Sequence, residues 1–162
     1  MKICIIPARA GSTRIIKKNI RNFCGKPIIA WPIEVAKKTK LFDHIIVSTD
    51  DDEIAEIAES YGALAPFRRP DELSDNFTVI RPVVNHAIHE VEKLFGCPDY
   101  VCVIFPTAAL IQANDIKHGL DKMVSLQTDF AFSIKLIVDK KINQGASEQK
   151  IYEFLRKKYG DW

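Results

Sequence analysis

The sequence predicts an α/β fold, in which a mostly parallel sheet is covered by helices on both faces. Short apolar runs alternate with longer segments that have helical periodicity, as in a repeated strand–helix unit. Strands buried between two helical layers are apolar throughout rather than alternating, and the first run here, Ile3 to Ile6, has that character. With 162 residues, 47% hydrophobic and 27% charged, the composition is that of one globular domain spanning 1–162.

The predicted elements follow one another along the chain as a βα repeat. Apolar, β-branched runs predict five strands, near 2–7, 44–48, 63–66, 99–105 and 130–136. Apolar residues at helical spacing predict four intervening helices, near 28–39, 52–61, 81–95 and 113–126.

Local signals set the boundaries of the first two helices. Pro32 falls within the apolar face of the 28–39 segment, so the first helix is either kinked there or begins there. The acids at 50–52 suit the positive end of the second helix, and Gly62 is well placed to stop it.

The first predicted strand is followed by a cationic loop. Between residues 9 and 26 the chain has six basic side chains and no acidic one: Arg9, Arg14, Lys17, Lys18, Arg21 and Lys26. Ala10, Gly11 and Ser12 are small enough for main-chain N–H groups to converge on phosphate oxygens, and Ser12 adds a hydroxyl donor. Open α/β sheets bind ligands at such strand ends. The pattern favours a triphosphate site, and the alternative is a solvated basic loop.

Other ligand classes are disfavoured. The loop lacks the Gly-Lys-Ser/Thr ending of a Walker A loop, and the chain contains no G-x-G-x-x-G, which disfavours a dinucleotide. A net charge of +2, with only Phe23 interleaved among the loop's charges, argues against a nucleic-acid partner. Neither a signal peptide nor a stretch of about 20 apolar residues is present. The sequence therefore predicts a cytoplasmic protein with no membrane partner.

Clusters of cysteine, histidine and acidic residues favour structural over metal-binding roles. The four cysteines lack C-x-x-C spacing and are predicted to be reduced thiols. The acids at 50–53 have the oxygen ligands that Mg²⁺ prefers, but acids that open a helix also satisfy its free N–H groups, and that interpretation is favoured. His86 and His89 are favoured as packing and surface groups. No metal ligand is assigned.

Several segments together resemble the family of acylneuraminate cytidylyltransferases, the CMP-nonulosonic acid synthetases. They are 7–19, 25–30, 43–50, 66–70 and 73–78. The resemblance covers about residues 2–133, and the sequence around 74–78 and 105–109 is most similar to the pseudaminic acid cytidylyltransferases. It implies a Rossmann-like nucleotide-diphospho-sugar transferase fold.

The resemblance also implies roles for individual residues. Arg9 and Lys18 would be catalytic, stabilising charge on the phosphates. Nucleotide contacts are implied for Ala8, Ala10, Gly11, Ser12, Arg14, Asn19, Arg69 and Thr78. Phe105 and Thr107 would line the sugar side. The substrates implied are CTP and a nonulosonic acid, the cofactor is Mg²⁺ bridging phosphate oxygens, and the assembly is a homodimer.

The activity implied is transfer of CMP from CTP to the anomeric hydroxyl of a nonulosonic acid, pseudaminic or sialic, with release of pyrophosphate. After about residue 133 the match stops, so the fold is expected to be C-terminally shortened, with no counterpart for the family's late metal-binding aspartates. The segment 134–162 is divergent, and 147–162 is predicted as an amphipathic helix. A second hypothesis is a truncated or degenerate nucleotide-binding domain without catalysis.

Overall fold

The computed structural model describes residues 1–131, and its elements alternate between strands and helices. In chain order they are β1 (Lys2–Pro7), β2 (Asn22–Phe23), β3 (Lys26–Pro27), α1 (Ala30–Thr39), β4 (His44–Ser48), α2 (Asp52–Ser60), α3 (Ile80–Phe95), β5 (Tyr100–Val103) and α4 (Ala113–Leu126). Two short 3₁₀ turns lie at Lys18–Ile20 and Asp71–Leu73.

Strand β1 is the centre of a three-stranded parallel sheet with the order β4-β1-β5. Its register places Cys4 opposite Ile45 on one side and opposite Cys102 on the other. Residues Ile3 to Ile6 are fully buried, because helices cover both faces of this central strand. The strands predicted at 2–7 and 44–48 are confirmed, and the strand near 99–105 is shorter than predicted.

The core consists of one apolar cluster on each face of the sheet. On one face, Cys4 and Ile6 of β1 pack with residues of α1, α2 and α4, including Ile33, Ile54 and Ile116. On the other face, the alternate residues of β1 pack with Ala87 and Val91 of α3. The predicted two-sided covering of a parallel sheet is therefore confirmed.

The helix boundaries follow from local chemistry. Helix α1 begins at Ala30, so Pro32 is its third residue, where a missing N–H costs no intrahelical hydrogen bond. Asp51 caps α2, since its carboxylate accepts from the Ile54 amide at 2.8 Å. Gly62 follows the end of α2 with a φ of +89°, and its amide donates to Glu59.

Two parts of the sheet differ from the prediction. The segment 63–66 is not a strand: Leu64 makes an isolated parallel bridge to Ile46 of β4, and a second isolated bridge joins Arg68 to Thr49, just after β4. Pro66 has no amide hydrogen to continue a ladder, which accounts for the interruption. A two-residue hairpin, β2–β3, was not predicted; Cys24 and Gly25 turn it with positive φ values of 51° and 92°.

The remaining sequence predictions lie at or beyond the end of the described region. Residues 130 and 131 have no regular structure, and the rest of the strand predicted at 130–136 lies outside the described residues, as does the helix predicted at 147–162. The single-domain prediction for 1–162 therefore stays a prediction, while residues 1–131 form one unit. No helix within that unit has the length and apolar character needed to cross a membrane.

Candidate active site

The candidate site lies at the carboxyl ends of β1 and β4, where two loops emerge side by side. The loop 8–18, which we call the phosphate loop, follows β1. Residues 49–51 connect β4 to α2. The carboxyl edge of an open parallel sheet is where such folds bind ligands. Most residues predicted to bind the nucleotide belong to the phosphate loop.

The backbone of the phosphate loop is held to β4 by alternate amides. The Ala8 amide donates to the Ser48 carbonyl at 2.9 Å, and the Ala10 amide donates to Oδ1 of Asp50 at 2.9 Å. The Ser12 amide donates to the Ala10 carbonyl at 2.6 Å. Within residues 1–131 the intervening amides, those of Arg9, Gly11 and Thr13, have no hydrogen-bond partner. An anion could accept hydrogen bonds from these three amides.

Asn19 fastens the far end of the phosphate loop from inside the protein. Its side chain is only 4% exposed, and its Nδ2 donates to the Arg9 carbonyl at 2.8 Å. Its main-chain carbonyl accepts from the Ile29 amide at 3.1 Å, which ties the loop to the start of α1. Asn19 Oδ1 is buried and has no partner among the described residues. Buried polar atoms without a partner are uncommon in folded proteins, so this atom is an exception within the otherwise bonded end of the loop.

The guanidinium of Arg9 joins the phosphate loop to the segment 70–78, which we call the base-side segment. Its Nη1 donates to the carbonyls of Ser74, at 3.2 Å, and Asp75, at 2.7 Å. A Cβ at Gly11 would lie 3.6 Å from that same nitrogen and 3.9 Å from the Ser74 carbonyl, so the loop packs closely here. One guanidinium therefore contacts two carbonyls that lie 65 and 66 positions further along the chain.

The base-side segment ends in a turn built on Asp75. The Asp75 carboxylate accepts from the amides of Phe77, at 2.9 Å, and Thr78, at 2.6 Å. The hydroxyl and amide of Thr78, and then the Phe77 amide, hold the pKa of Asp75 below its ordinary value. The Thr78 hydroxyl also lies 3.2 Å from the Glu72 carbonyl. Since a hydroxyl has one hydrogen, it donates to one of these two acceptors at a time.

Arg69 is buried against the end of β4. It is 5% exposed, its amide donates to the Thr49 carbonyl at 2.8 Å, and its side chain donates to both the hydroxyl and the carbonyl of Ser48. Burial lowers the pKa of Arg69, the Asp50 carboxylate acts in the opposite direction, and repulsion from Arg9 lowers it further. Arg9, which was predicted to be catalytic, and Arg69, which was predicted to contact the nucleotide, are thus electrostatic neighbours.

The six basic side chains counted between residues 9 and 26 do not share one fate. Lys17 pairs with Glu53 at 2.5 Å, and Lys26 pairs with Glu34, so both are neutralised by acids. Arg14 is exposed and Lys18 half-buried, and neither side chain has a partner in the described part of the chain. Arg14 and Lys18 are therefore the loop cations that remain available to a ligand.

The four consecutive acids after β4 each have a protein partner. Asp50 accepts from the Ala10 amide, Asp51 caps α2, Asp52 pairs with Arg68 at 2.7 Å, and Glu53 pairs with Lys17. Of the four, Asp51 has the predicted role at the start of α2, and the other three bond to groups outside that helix. No group of three or more His, Cys, Asp or Glu in residues 1–131 is arranged to hold a metal ion.

Phe105 and Thr107 follow β5 at the same edge of the sheet. Phe105 is 56% exposed, and Thr107 is exposed on a turn in which the Ala108 amide donates to the Phe105 carbonyl at 2.9 Å. Because β5 is the neighbour of β1, this turn lies beside the strand that leads into the phosphate loop. No hydrogen bond in the described region joins either residue to the loop.

Comparison with known proteins places this geometry in a family. The family model described as "Cytidylyltransferase" matches residues 3–154, nearly the whole chain. The chain belongs to the cytidylyltransferase family. The match extends past residue 133, where the motif resemblance stops.

Curated relatives of this chain are named for different sugar acids. It is 44% identical over 81% of its length to a pseudaminic acid cytidylyltransferase of Campylobacter jejuni, covering 56% of that protein. It is 35% identical over 74% of its length to a CMP-N,N'-diacetyllegionaminic acid synthase of Legionella pneumophila, covering 51% of that protein. The chain thus spans about half the length of these curated relatives.

Solved structures confirm the fold predicted for this chain. A CMP:2-keto-3-deoxy-manno-octonic acid synthetase complexed with CTP matches with a TM-score of 0.65 at 22% identity, over 76% of this chain and 47% of that chain. A cytidylyltransferase from Leptospira borgpetersenii matches with a TM-score of 0.60 at 20% identity, over 78% of this chain and 50% of that one.

Two residues that hold the candidate site together were not predicted from the sequence. Asp50 and Ser48 hold the phosphate loop and the buried Arg69, although neither was predicted as a site residue. The available signal was an acid placed directly after a buried strand, a position that adjoins the ligand edge of the sheet.

Proposed function

We propose that this chain transfers CMP from CTP to the anomeric hydroxyl of a nonulosonic acid and releases pyrophosphate. The observation that carries the proposal is the phosphate loop, which is fixed to β4 while three of its amides and two of its cations have no partner within residues 1–131. A fixed array of unpaired donors suits a triphosphate, because the donors need no reorganisation when the ligand arrives.

The triphosphate would lie along the phosphate loop. The Gly11 amide and the Ser12 hydroxyl would donate to its oxygens, Lys18 would supply a point charge, and Arg14 would hold the leaving pyrophosphate. Ala8 and Ala10 would contribute through their place in the loop, since their own amides are already bonded. Arg9 would face the phosphates with its guanidinium, which is held at the base-side segment by the carbonyls of Ser74 and Asp75.

The cytidine would lie toward the base-side segment. Arg69 uses Nε and Nη2 on Ser48, and its Nη1 has no partner among the described residues. The Thr78 hydroxyl can turn between two acceptors, and Asn19 Oδ1 is an unpaired buried acceptor within residues 1–131. Together these groups offer both donors and acceptors, which recognition of a nucleoside requires.

In the proposed reaction the anomeric hydroxyl of the sugar acid attacks the α-phosphorus of CTP. A bond forms between that oxygen and the α-phosphorus, the bond from the α-phosphorus to the bridging oxygen breaks, and the hydroxyl proton is lost to solvent. The protein's contribution would be positioning and charge neutralisation. Phe105 and Thr107 would line the sugar side. The 44% identity to a pseudaminic acid cytidylyltransferase favours pseudaminic over sialic acid.

The proposal includes Mg²⁺, which would bridge phosphate oxygens when bound. It rests on the charge of the triphosphate alone, because each acid at 50–53 already has a protein partner. No step of the proposed reaction depends on the metal. We also propose a cytoplasmic enzyme, because CTP is a cytoplasmic nucleotide, and a homodimer, which light scattering of the full chain would test.

The deciding experiment is release of pyrophosphate from CTP and Mg²⁺, with pseudaminic acid and with N-acetylneuraminic acid as alternative acceptors. Release with either acceptor supports the proposed function, and the ratio of rates identifies the substrate. CTP binding without release from either acceptor supports the degenerate nucleotide-binding domain, and no CTP binding by folded protein rejects both hypotheses.

A matched pair of lysine variants links the activity to the loop. Lys18→Ala should lower kcat/KM by about tenfold or more, since it removes one charge-assisted contact. Lys117→Ala, at an exposed position of α4, removes the same charge away from the site and should leave kcat/KM unchanged.

A further inference from the structure

We infer that Asp50 is a positioning residue, whose carboxylate sets the phosphate loop in the conformation that receives the triphosphate. The inference rests on the proposed function. Asp50 follows Ser48 and Thr49 at the end of β4, and its Oδ1 accepts from the Ala10 amide at 2.9 Å, across 40 residues of chain.

An acid at this place needs an explanation, because a carboxylate beside a triphosphate site repels the ligand. The three acids that follow have other partners: Asp51 caps α2, Asp52 pairs with Arg68, and Glu53 pairs with the side chain of Lys17 and not with the backbone of the loop. Among the described acids, Asp50 is the one that bonds to the backbone of the phosphate loop between residues 8 and 16.

The contact continues the sheet beyond the end of its strands. The Ala8 amide donates to the main-chain carbonyl of Ser48, as in a parallel ladder. Two residues on, the Ala10 amide has a side-chain oxygen of Asp50 in place of a main-chain carbonyl. The chain of β1 is thereby held for two further residues, and the amides of Arg9 and Gly11 stay free of bonds within the described residues.

The same carboxylate offsets repulsion between two arginines. Arg9 and Arg69 are close enough to influence one another, and Asp50 is the acid that favours the charged form of the buried Arg69. Without Asp50, the guanidinium of Arg69 would keep only its neutral partners, the hydroxyl and the carbonyl of Ser48. One side chain therefore supports both the phosphate side and the base side of the site.

Three variants separate the hydrogen bond from the charge. Asp50→Asn keeps an oxygen acceptor for the Ala10 amide and loses the charge, while Asp50→Ala loses both. Asp52→Asn is the matched control, because it removes the same charge from an exposed side chain that contacts Arg68 and not the loop. The measurements are hydrogen–deuterium exchange of the 8–14 segment without ligand, thermal melting, and kcat and KM for CTP.

We expect Asp50→Ala to speed exchange at the Ala10 amide and to lower kcat/KM by about tenfold, the value of one lost charge-assisted hydrogen bond. Asp50→Asn should restore exchange protection and most of kcat/KM, a rescue that a purely structural role in stability would not give. Asp52→Asn should match the wild type in both.

Wild-type exchange and wild-type kcat/KM in Asp50→Ala would overturn the inference. So would an Asp50→Asn variant that protects the Ala10 amide but is as inactive as Asp50→Ala. The exchange measurement needs neither CTP nor activity. A wild-type protein that releases no pyrophosphate would therefore end the proposed function, while loop positioning by Asp50 would still be decided by exchange.

Discussion

Replacing Arg9 with alanine tests the link between the two halves of the site. The substitution removes the donors to the carbonyls of Ser74 and Asp75, 3.2 and 2.7 Å away. A hydrogen bond from a charged donor contributes about 1.5–3 kcal/mol. Because the contact to Asp75 is exposed, the lower figure suits the pair, so we expect a loss of about 1.5 kcal/mol in the free energy of unfolding. For a chain of this size that corresponds to a Tm lower by roughly 3–6 °C.

Binding of CTP should weaken by more than stability alone explains. Arg9→Ala also removes a cation that would face the triphosphate, at a cost of about 1.5–3 kcal/mol, which is roughly a 10- to 150-fold rise in Kd. Calorimetric titration with CTP gives the Kd, and a thermal melt of the same protein gives the Tm. Arg81→Ala, at an exposed position of α3, removes the same charge elsewhere and should change neither.

The two measurements separate two roles for Arg9. A lower Tm with an unchanged Kd for CTP would refute the phosphate contact and leave Arg9 as a link between loops. An unchanged Tm with a weaker Kd would instead show that the two carbonyl contacts contribute nothing measurable. Only a change in both the Tm and the Kd supports both roles.

Three further outcomes are expected. Asn19→Ala should lower the free energy of unfolding by about 1–3 kcal/mol in a urea titration, because it takes the donor from the Arg9 carbonyl. Ile33→Ala should cost about 2–5 kcal/mol in the same titration, since Ile33 is fully buried, whereas Ile16→Ala, at a side chain 79% exposed, should cost almost nothing. The pKa of Asp75 is lower in the folded than in the unfolded state. The ionised carboxylate therefore stabilises the fold above the unfolded pKa of about 3.9, and this stabilisation is lost as the pH falls through the lower folded value. Between about pH 5 and 2, the Tm of Asp75→Ala should accordingly change less with pH than the Tm of the wild type.

The central sheet was predictable because its signal is local. The apolar run Ile3 to Ile6 predicts a strand buried on both faces, and the structure has that strand at the centre of the sheet. Helix α4 begins and ends where its periodicity predicts. The prediction of a strand at 63–66 was wrong. The segment is apolar, as a strand would be, but Pro66 has no amide hydrogen to extend a ladder, and Leu64 makes an isolated bridge instead.

The sequence indicates candidate residues for the site but not the partners of those residues. The composition of the phosphate loop marks Arg9, Arg14 and Lys18 equally as cations. Their different surroundings depend on groups far along the chain, such as the Ser74 carbonyl, 65 residues from Arg9. A side chain that meets a main-chain carbonyl across such a distance leaves no periodic trace in the sequence. The contact made by Asp50 was not predicted for the same reason, since its partner, the Ala10 amide, lies 40 residues earlier.

The pairing of β1 has a consequence for synthesis on the ribosome. β1 and the phosphate loop leave the ribosome before both of their neighbouring strands, β4 at His44–Ser48 and β5 at Tyr100–Val103. At about 5–20 residues per second, the loop exists for on the order of 5–20 seconds before its last neighbouring strand has been made. During that interval the apolar run of β1 is exposed, which is a suitable target for a chaperone. The phosphate loop, although it is translated before its neighbours, thus reaches its working shape only after they have been made.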